Sequence, residues 1–235
     1  MKFKHICRTF LSGNIEKMGE VVLRVVFICL MLIAFQGAAQ ELNVQVLDKD
    51  NNPIGGAVVE VTLSKNFENN NLPESASMAQ VNKRFVPHIL TVAKGTPVIF
   101  PNKDSIKHHV YSFSPAKTFE LKLYKESLPS PILLDKAGII SMGCNIHDWM
   151  AGYIYVAESQ YFGQTDENGS YMVKLPAEVS SVTVWHPRFD EQDVKRASDI
   201  KVINGKVSFK LTETLYPNLD VGAESFDDVD EYDYE

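Results

Sequence analysis

Cysteine is scarce in this sequence, and its placement limits the disulfides that can form. The 235 residues include three cysteines, of which Cys7 and Cys29 lie in the first thirty positions, so Cys144 alone remains beyond residue 40. A chain with one thiol cannot form an internal disulfide. In an oxidising compartment such a thiol is buried, pairs with another molecule or binds a metal.

Several functional motifs are also missing. The sequence contains no G-x-S-x-G, no H-E-x-x-H and no phosphate-binding glycine loop, so the common hydrolase and nucleotide-binding sites are not predicted and we expect no enzymatic activity. The formal net charge is -7, and no basic patch with interleaved aromatic residues is found. Nucleic acid is therefore not expected as a partner.

The first forty residues resemble an export signal. A stretch with Lys2, Lys4, Arg8 and Lys17 precedes the apolar run 21–36, and small residues follow at 37–39. This order predicts a cleaved signal and a periplasmic or secreted protein. An uncleaved N-terminal anchor is the alternative, and only in that case do we expect contact with a membrane. Met18 is a second possible start of the chain.

The acidity of the protein is concentrated at its other end. Residues 220–235 hold eight acidic residues and no basic one, so the remaining chain has a formal charge of +1. A block of like charges with little apolar content predicts a disordered tail, here residues 216–235.

Short alternating or β-branched runs recur between these two ends. They include 42–47, 57–63, 89–100, 108–113, 118–124, 152–157, 169–175, 181–186 and 206–211, and turn residues separate them. Many short strands at regular spacing predict an all-β protein built as a sandwich or barrel.

The strand groups divide into three segments. "ELNVQVLDKDNNPIGGAVVEVTL" (41–63) and "GQTDENGSYMVKLPAEVSSVTVWHP" (163–187) resemble the two halves of a carboxypeptidase-regulatory-like β-sandwich. The resemblance implies a small sandwich with a first part at 41–65 and a second part at 160–215, a linker at 66–77, and a second β domain inserted at 78–159. Two small domains in tandem are the alternative.

The segment "GCNIHDWM" combines ligands that suit copper. Cys144, His147 and Met150 are spaced three residues apart. A copper ion that cycles between Cu+ and Cu2+ is suited by a thiolate, imidazoles and a weak thioether, whereas zinc is poorly served by methionine. Taken singly, each residue could equally be an ordinary buried or surface side chain. Together they predict a copper site that lacks a fourth ligand.

The sequence around these candidate ligands resembles that of a known protein family. "FVPHILTVAKGTPVIFPNKDSIKHHVYSFS" (85–114) followed by "GIISMGCNIHDWMAGYIYV" (138–156) resembles the cupredoxins, the type 1 blue copper proteins, and among them the exported group named "methylamine utilization protein". The resemblance implies a Greek-key β-sandwich at 78–159 and places the fourth ligand at His108. His109 is the alternative, and the two side chains point to opposite faces of an extended chain.

The resemblance also implies a hydrogen-bonding role for Asn102 near the cysteine loop. Glu120 is a possible carboxylate ligand, but apolar neighbours on alternate positions favour a solvent-facing side chain. His88 and His186 are interpreted as packing or surface residues.

Three functions fit these expectations. The first is an electron carrier that meets donor and acceptor redox proteins on a transient surface. The second is a copper delivery, storage or small-molecule-sensing module. The third is a structural exported sandwich in which the metal acts as a staple.

Overall fold

The computed structural model describes residues 40–65, 74–191, 194, 197 and 200–217, and nearly all of the regular structure within them is β. The predicted all-β class is confirmed. Glu191, Val194 and Ala197 have helical backbone. The strands are β1 Gln40–Leu47, β2 Val58–Leu63, β3 Ala76–Ser77, β4 Ala79–Val81, β5 Arg84–Val86, β6 Ile89–Ala93, β7 Thr96–Ile99, β8 His108–Ser114, β9 Lys117–Tyr124, β10 Ile132–Leu134, β11 Gly138–Cys144, β12 His147–Ala157, β13 Tyr161–Gln164, β14 Ser170–Leu175, β15 Val179–Trp185 and β16 Lys206–Lys210.

Two three-stranded sheets enclose one hydrophobic core. Their strand orders are β14-β1-β16 and β13-β2-β15. In β1 the side chains of Leu42, Val44 and Val46 are fully buried and alternate with partly exposed neighbours, as expected for a sheet with one face on a core. The core is drawn from positions 42–63 and 161–215, so the two distant stretches of chain pack against each other.

The other two main sheets enclose a second core. A five-stranded sheet has the order β6-β12-β11-β8-β9, and a three-stranded sheet has the order β10-β7-β3. This core is drawn from positions 76–156. Strand β12 lies between β11, to which it is antiparallel, and β6, to which it is parallel.

A third apolar cluster links strands of both cores. Val58 and Trp185 pack there with Ile89, Tyr155 and Ala157. Glu60 on β2 accepts a hydrogen bond of 2.8 Å from the Tyr155 hydroxyl on β12. The far end of β12 is thus held by side chains that belong to the first pair of sheets.

The predicted domain boundaries stay a prediction. Strand β3 falls within the predicted linker 66–77, where Ala76 and Ser77 pair with Val98 and Ile99 of β7. The predicted signal, apart from Gln40, and the acidic tail beyond residue 217 lie outside the described residues. Among the described residues, no helix has the length and apolar character needed to cross a membrane.

Candidate metal centre

The two adjacent histidines of β8 face different surroundings. His108 is fully buried, whereas the His109 side chain is 18% exposed. The His109 ring nitrogen Nε2 lies 2.8 Å from the carboxylate of Glu120 on the neighbouring strand β9. Successive side chains of a strand point to opposite faces, so His108 alone of the pair is directed into the core that contains Cys144.

Cys144 and His147 lie at the two ends of one tight hairpin. Cys144 is the last residue of β11, His147 is the first of β12, and the two residues are register partners beside a bulge at Gly143/Cys144. The turn is tied to β8, because the Asn145 N–H donates to the His109 carbonyl at 3.0 Å. The hairpin therefore presents two donors to the neighbouring strand that carries His108.

The three side chains converge on a common point. The Cys144 Sγ lies 3.7 Å from Nδ1 of His108 and 3.6 Å from Nδ1 of His147. All three donor atoms lie within 4.8 Å of one another, and all three residues are buried. The structure thus brings together three of the predicted ligands, while His109 is outside this group.

The spacing of these atoms suits a metal ion. Zinc binds histidine nitrogen at about 2.0 Å and cysteine sulfur at about 2.3 Å. These bond lengths are a guide to those of other first-row transition metals. In a trigonal arrangement, such bonds separate sulfur from nitrogen by about 3.7 Å. The two measured separations of 3.7 and 3.6 Å agree with this value.

The Cys144 sulfur faces two imidazole nitrogens, and a single thiol proton cannot serve both. The His108 Nε2 lies 2.7 Å from the Asp104 carboxylate, which can only accept a proton, so this contact favours the tautomer with its proton on Nε2 and a lone pair on Nδ1, the nitrogen that faces the sulfur. A thiol has one proton and can donate to one of the two imidazoles that face it. A cation between the three atoms satisfies all of them at once.

The electrostatics around His147 favour its neutral form. Burial, assisted by the neighbouring charges of His108 and Lys83, lowers the pKa of His147 to about 4. The ring is therefore uncharged near neutral pH and keeps a lone pair for a metal ion.

Met150 packs in the same core as Cys144. Its side chain is 2% exposed, and both residues line one cleft together with Tyr111 and Gly143. Met150 is thus buried in the same core as Cys144, and its role as a ligand stays a prediction.

Asn102 does not have the contacts that the resemblance implies. Its side-chain amide donates to the carbonyls of Ile106 and Tyr124, and its oxygen accepts from the Asp104 N–H. These bonds organise the loop before β8 and do not reach the Cys144–His147 turn. The prediction for Asn102 was therefore wrong in its target, because both amide protons are donated elsewhere, one to Ile106 in the same loop and one to Tyr124 at the end of β9.

Asp104 is a residue of the centre that sequence reasoning did not identify. Its side chain is 10% exposed, and its carboxylate also accepts the backbone N–H groups of Asn82 and Lys83. Burial raises the pKa of the Asp104 carboxyl, but the hydrogen bonds from Lys83, His108 and Asn82 outweigh burial, and the net shift of the pKa is downward. The one signal in the sequence is an aspartate four positions before His108.

The remaining flagged residues lie outside the donor group. Glu120 is 56% exposed at its side chain and pairs with His109. The His88 ring packs edge-on against Tyr153, and His186 packs against Phe189. The ring of Trp149 lies 5.4 Å from that of His147 between centroids.

The donor set fits copper. A buried thiolate suits Cu+, two neutral imidazoles suit both oxidation states, and a nearby thioether serves as a weak further ligand. Zinc prefers four strong ligands of cysteine, histidine or carboxylate type. The nearby carboxylate of Asp104 does not supply the fourth, because it is hydrogen-bonded to the far nitrogen of His108 and to backbone N–H groups. The residues present therefore match copper better than zinc.

No profile of a known protein family matches this chain, and no curated protein matches it. Among solved structures, it is similar to an oxidized amicyanin mutant at 20% identity, over 35% of this chain and 82% of that chain, with a TM-score of 0.32. A purple cupredoxin from Nitrosopumilus maritimus matches at 21% identity, over 35% and 100% of the two chains, with a TM-score of 0.30.

A copper-containing nitrite reductase from Thermus scotoductus SA-01 matches at 22% identity with a TM-score of 0.35. That match covers 42% of this chain and 26% of the reductase, so this chain spans about a quarter of the length of that enzyme.

Proposed function

We propose that this protein is an exported copper-binding, cupredoxin-like electron carrier, and that it is not an enzyme. The observation that carries the proposal is the buried triangle of His108, Cys144 and His147, whose sulfur lies 3.7 and 3.6 Å from the two imidazole nitrogens. Met150 would complete the proposed ligand set as a weak thioether donor.

Copper would supply a one-electron couple between Cu2+ and Cu+. The chain would contribute a rigid frame, since the donors lie on three neighbouring strands, β8, β11 and β12, that are hydrogen-bonded to each other. Burial shields the sulfur from most of the solvent, because Cys144 is 4% exposed. A donor triangle held by sheet hydrogen bonds changes little on reduction, which favours fast electron transfer.

The partners in this proposal are donor and acceptor redox proteins. His147 is 9% exposed, and its chain neighbour Ile146 is an apolar side chain that is 46% exposed. Weak redox encounters bury little surface, and an exposed apolar side chain next to a ligand suits such a contact. The proposed compartment is the periplasm or the extracellular space, from the export pattern of residues 1–40.

A cleft beside the sulfur ligands favours a second candidate function. It has a volume of about 470 Å³, and Tyr111, Phe113 and Asp148 line it together with Cys144 and Met150. Cys144 and Met150 contribute to the lining of this cleft, so a small molecule bound there would lie next to two of the proposed ligand residues. Small-molecule sensing is therefore the second candidate, ahead of copper storage, delivery or a purely structural role.

Titration of the metal-free chain with Cu(II) tests the proposal. We expect an intense visible band from thiolate-to-copper charge transfer, its loss on reduction, and its absence in Cys144→Ser. Copper binding without this band would contradict electron transfer and favour storage or delivery, and no metal binding would leave the structural role.

Azide, a small anionic ligand of Cu(II), separates the two leading candidates. An unchanged band in azide agrees with a closed electron-transfer centre. A shifted band would favour the sensing function, because the ligand would then have reached the copper through the cleft.

A further inference from the structure

The carboxylate of Asp104 is built into the wall of the donor cluster. Its Oδ2 lies 2.7 Å from the Nε2 of His108, on the side of the ring opposite to Cys144. The His108 side chain is fully buried and that of Asp104 is 10% exposed. The negative charge therefore acts on the imidazole through a short hydrogen bond with little screening by solvent.

A backbone turn fixes the position of this carboxylate. Asn82 and Lys83 connect β4 to β5, and both have positive φ angles, 53° and 57°. This conformation directs both N–H groups at Asp104, with 2.6 Å from Asn82 to Oδ1 and 2.9 Å from Lys83 to Oδ2. The carboxylate thus accepts three hydrogen bonds, and it cannot rotate without breaking several of them.

The loop that carries Asp104 is in turn fastened to β4. Gln80 donates its N–H to the Pro101 carbonyl and accepts from the Lys103 N–H, each at 2.9 Å. The Asn102 side chain accepts from the Asp104 N–H at 2.9 Å. The hairpin of β4 and β5 therefore buttresses the loop before β8, although none of its residues belongs to the donor group.

We propose that Asp104 is a positioning residue that holds the proton of His108 on Nε2, aims the Nδ1 lone pair at the Cys144 side, and sets the reduction potential of the centre through its negative charge. The inference rests on the proposed copper site. A carboxylate bonded to a ligating imidazole raises the basicity of the ligand nitrogen. The added electron density stabilises Cu2+ more than Cu+.

The chain offers a matched control for this charge. His109 adjoins His108 and carries its own carboxylate partner, Glu120, at 2.8 Å from Nε2. Asp104→Asn and Glu120→Gln each remove one carboxylate charge from a histidine without a large change in side-chain size. Asp104→Glu keeps the charge on a longer side chain and serves as the conservative variant.

The test measures Cu(II) and Cu(I) affinities and the reduction potential of the full chain in all four forms. For Asp104→Asn we expect about a 10- to 100-fold loss of Cu(II) affinity and a smaller loss for Cu(I). Each tenfold difference between the two losses raises the one-electron potential by about 59 mV. Asp104→Glu should recover part of the shift, and Glu120→Gln should match the unmodified protein.

A metal-free measurement separates this inference from the copper proposal. Nitrogen-15 NMR of the unloaded chain should place the His108 proton on Nε2, and Asp104→Asn should reduce the population of that tautomer. If the unmodified protein forms no thiolate-to-copper band, the copper proposal fails, while this NMR result still decides the positioning role.

Two results would overturn the inference. One is a His108 proton on Nδ1 in the unloaded protein. The other is a reduction potential of Asp104→Asn that equals that of the unmodified chain, or that shifts by no more than the potential of Glu120→Gln shifts.

Discussion

The Cys144 sulfur lies 3.7 Å from Nδ1 of His108, although the two residues are 36 positions apart in the sequence. His147, in contrast, is three residues from Cys144 and lies 3.6 Å from the same sulfur. The centre therefore combines a local hairpin with one distant strand, and the distant contact is the one that sequence spacing alone cannot locate.

The ligand choice between adjacent histidines gives the first prediction. His108→Ala should abolish the thiolate-to-copper band or weaken it severely, because one of three strong donors is lost. His109→Ala should retain the band, because that ring is paired with Glu120 outside the donor group. Visible absorption and electron paramagnetic resonance of the Cu(II)-loaded variants measure both effects. Retention in the first variant with loss in the second would reverse the assignment.

The role of Met150 gives the second prediction. Met150→Leu keeps a buried apolar side chain and should cost less than about 1.5 kcal/mol in the free energy of unfolding. If Met150 is a ligand, loss of its thioether would destabilise Cu2+ relative to Cu+, so the reduction potential should rise. Voltammetry of the loaded protein measures this change.

Met142→Leu is the matched control for that experiment. Met142 is 4% exposed, belongs to the same core and lines the same cleft. Met142→Leu should therefore leave the reduction potential unchanged. Equal potentials in Met150→Leu and the unmodified protein would remove Met150 from the ligand set.

Close packing of Phe85 on Gly152 gives the third prediction. A Cβ added at residue 152 would lie 2.8 Å from the Cβ of Phe85, which is 1% exposed. Gly152→Ala should therefore lower the free energy of unfolding by about 1–3 kcal/mol. Denaturant unfolding of the metal-free protein measures the loss.

A double-mutant cycle with Phe85→Leu checks the cause of that loss. The smaller side chain makes room for the added methyl group, so Gly152→Ala should cost less in the Phe85→Leu background. An equal cost in both backgrounds would show that the contact with Phe85 is not responsible.

The partly buried histidine His186 gives the fourth prediction. Burial, together with the charges of Arg188 and His88, lowers the pKa of His186 to about 4. The unfolded chain, with a histidine pKa near 6.5, then binds more protons than the folded chain between about pH 6.5 and 4. This group therefore contributes stability that is present above pH 6.5 and is lost as the pH falls towards 4, by up to about 3 kcal/mol.

Urea unfolding of the metal-free protein at several pH values measures this dependence. His147 contributes in the same direction, because its pKa is also lowered to about 4. His186→Gln should remove one of the two contributions and flatten the curve between pH 6.5 and 4. A curve as steep as that of the unmodified protein would exclude His186 as a source of the dependence.

Sequence patterns predicted the parts of the centre that depend on local spacing. The period of two along β8 separates the faces of His108 and His109, and the short turn after Cys144 limits where His147 can lie. The cupredoxin resemblance selected His108 as the ligand. The carboxypeptidase-regulatory-like flanks and the link to the methylamine utilization group stay predictions.

The parts that were not predicted depend on contacts between distant segments. Asp104 meets the β4–β5 turn through backbone N–H groups, and backbone donors leave no signature in residue type. Strands β4 and β5 have three residues each, too few for an alternating pattern to be recognised. The bond between Tyr155 and Glu60 joins residues 95 positions apart.

The strand order β8-β11-β12 has a consequence for the folding of the chain. A newly made β11–β12 hairpin can offer Cys144 and His147, but the third strong donor arrives only when β8 pairs with β11 across a long loop closure. The complete triangle therefore exists only after non-local sheet assembly, which is a slow event in β proteins. The thiolate-to-copper band would then report the finished tertiary structure, and its rate of appearance with excess copper would time the last step of folding.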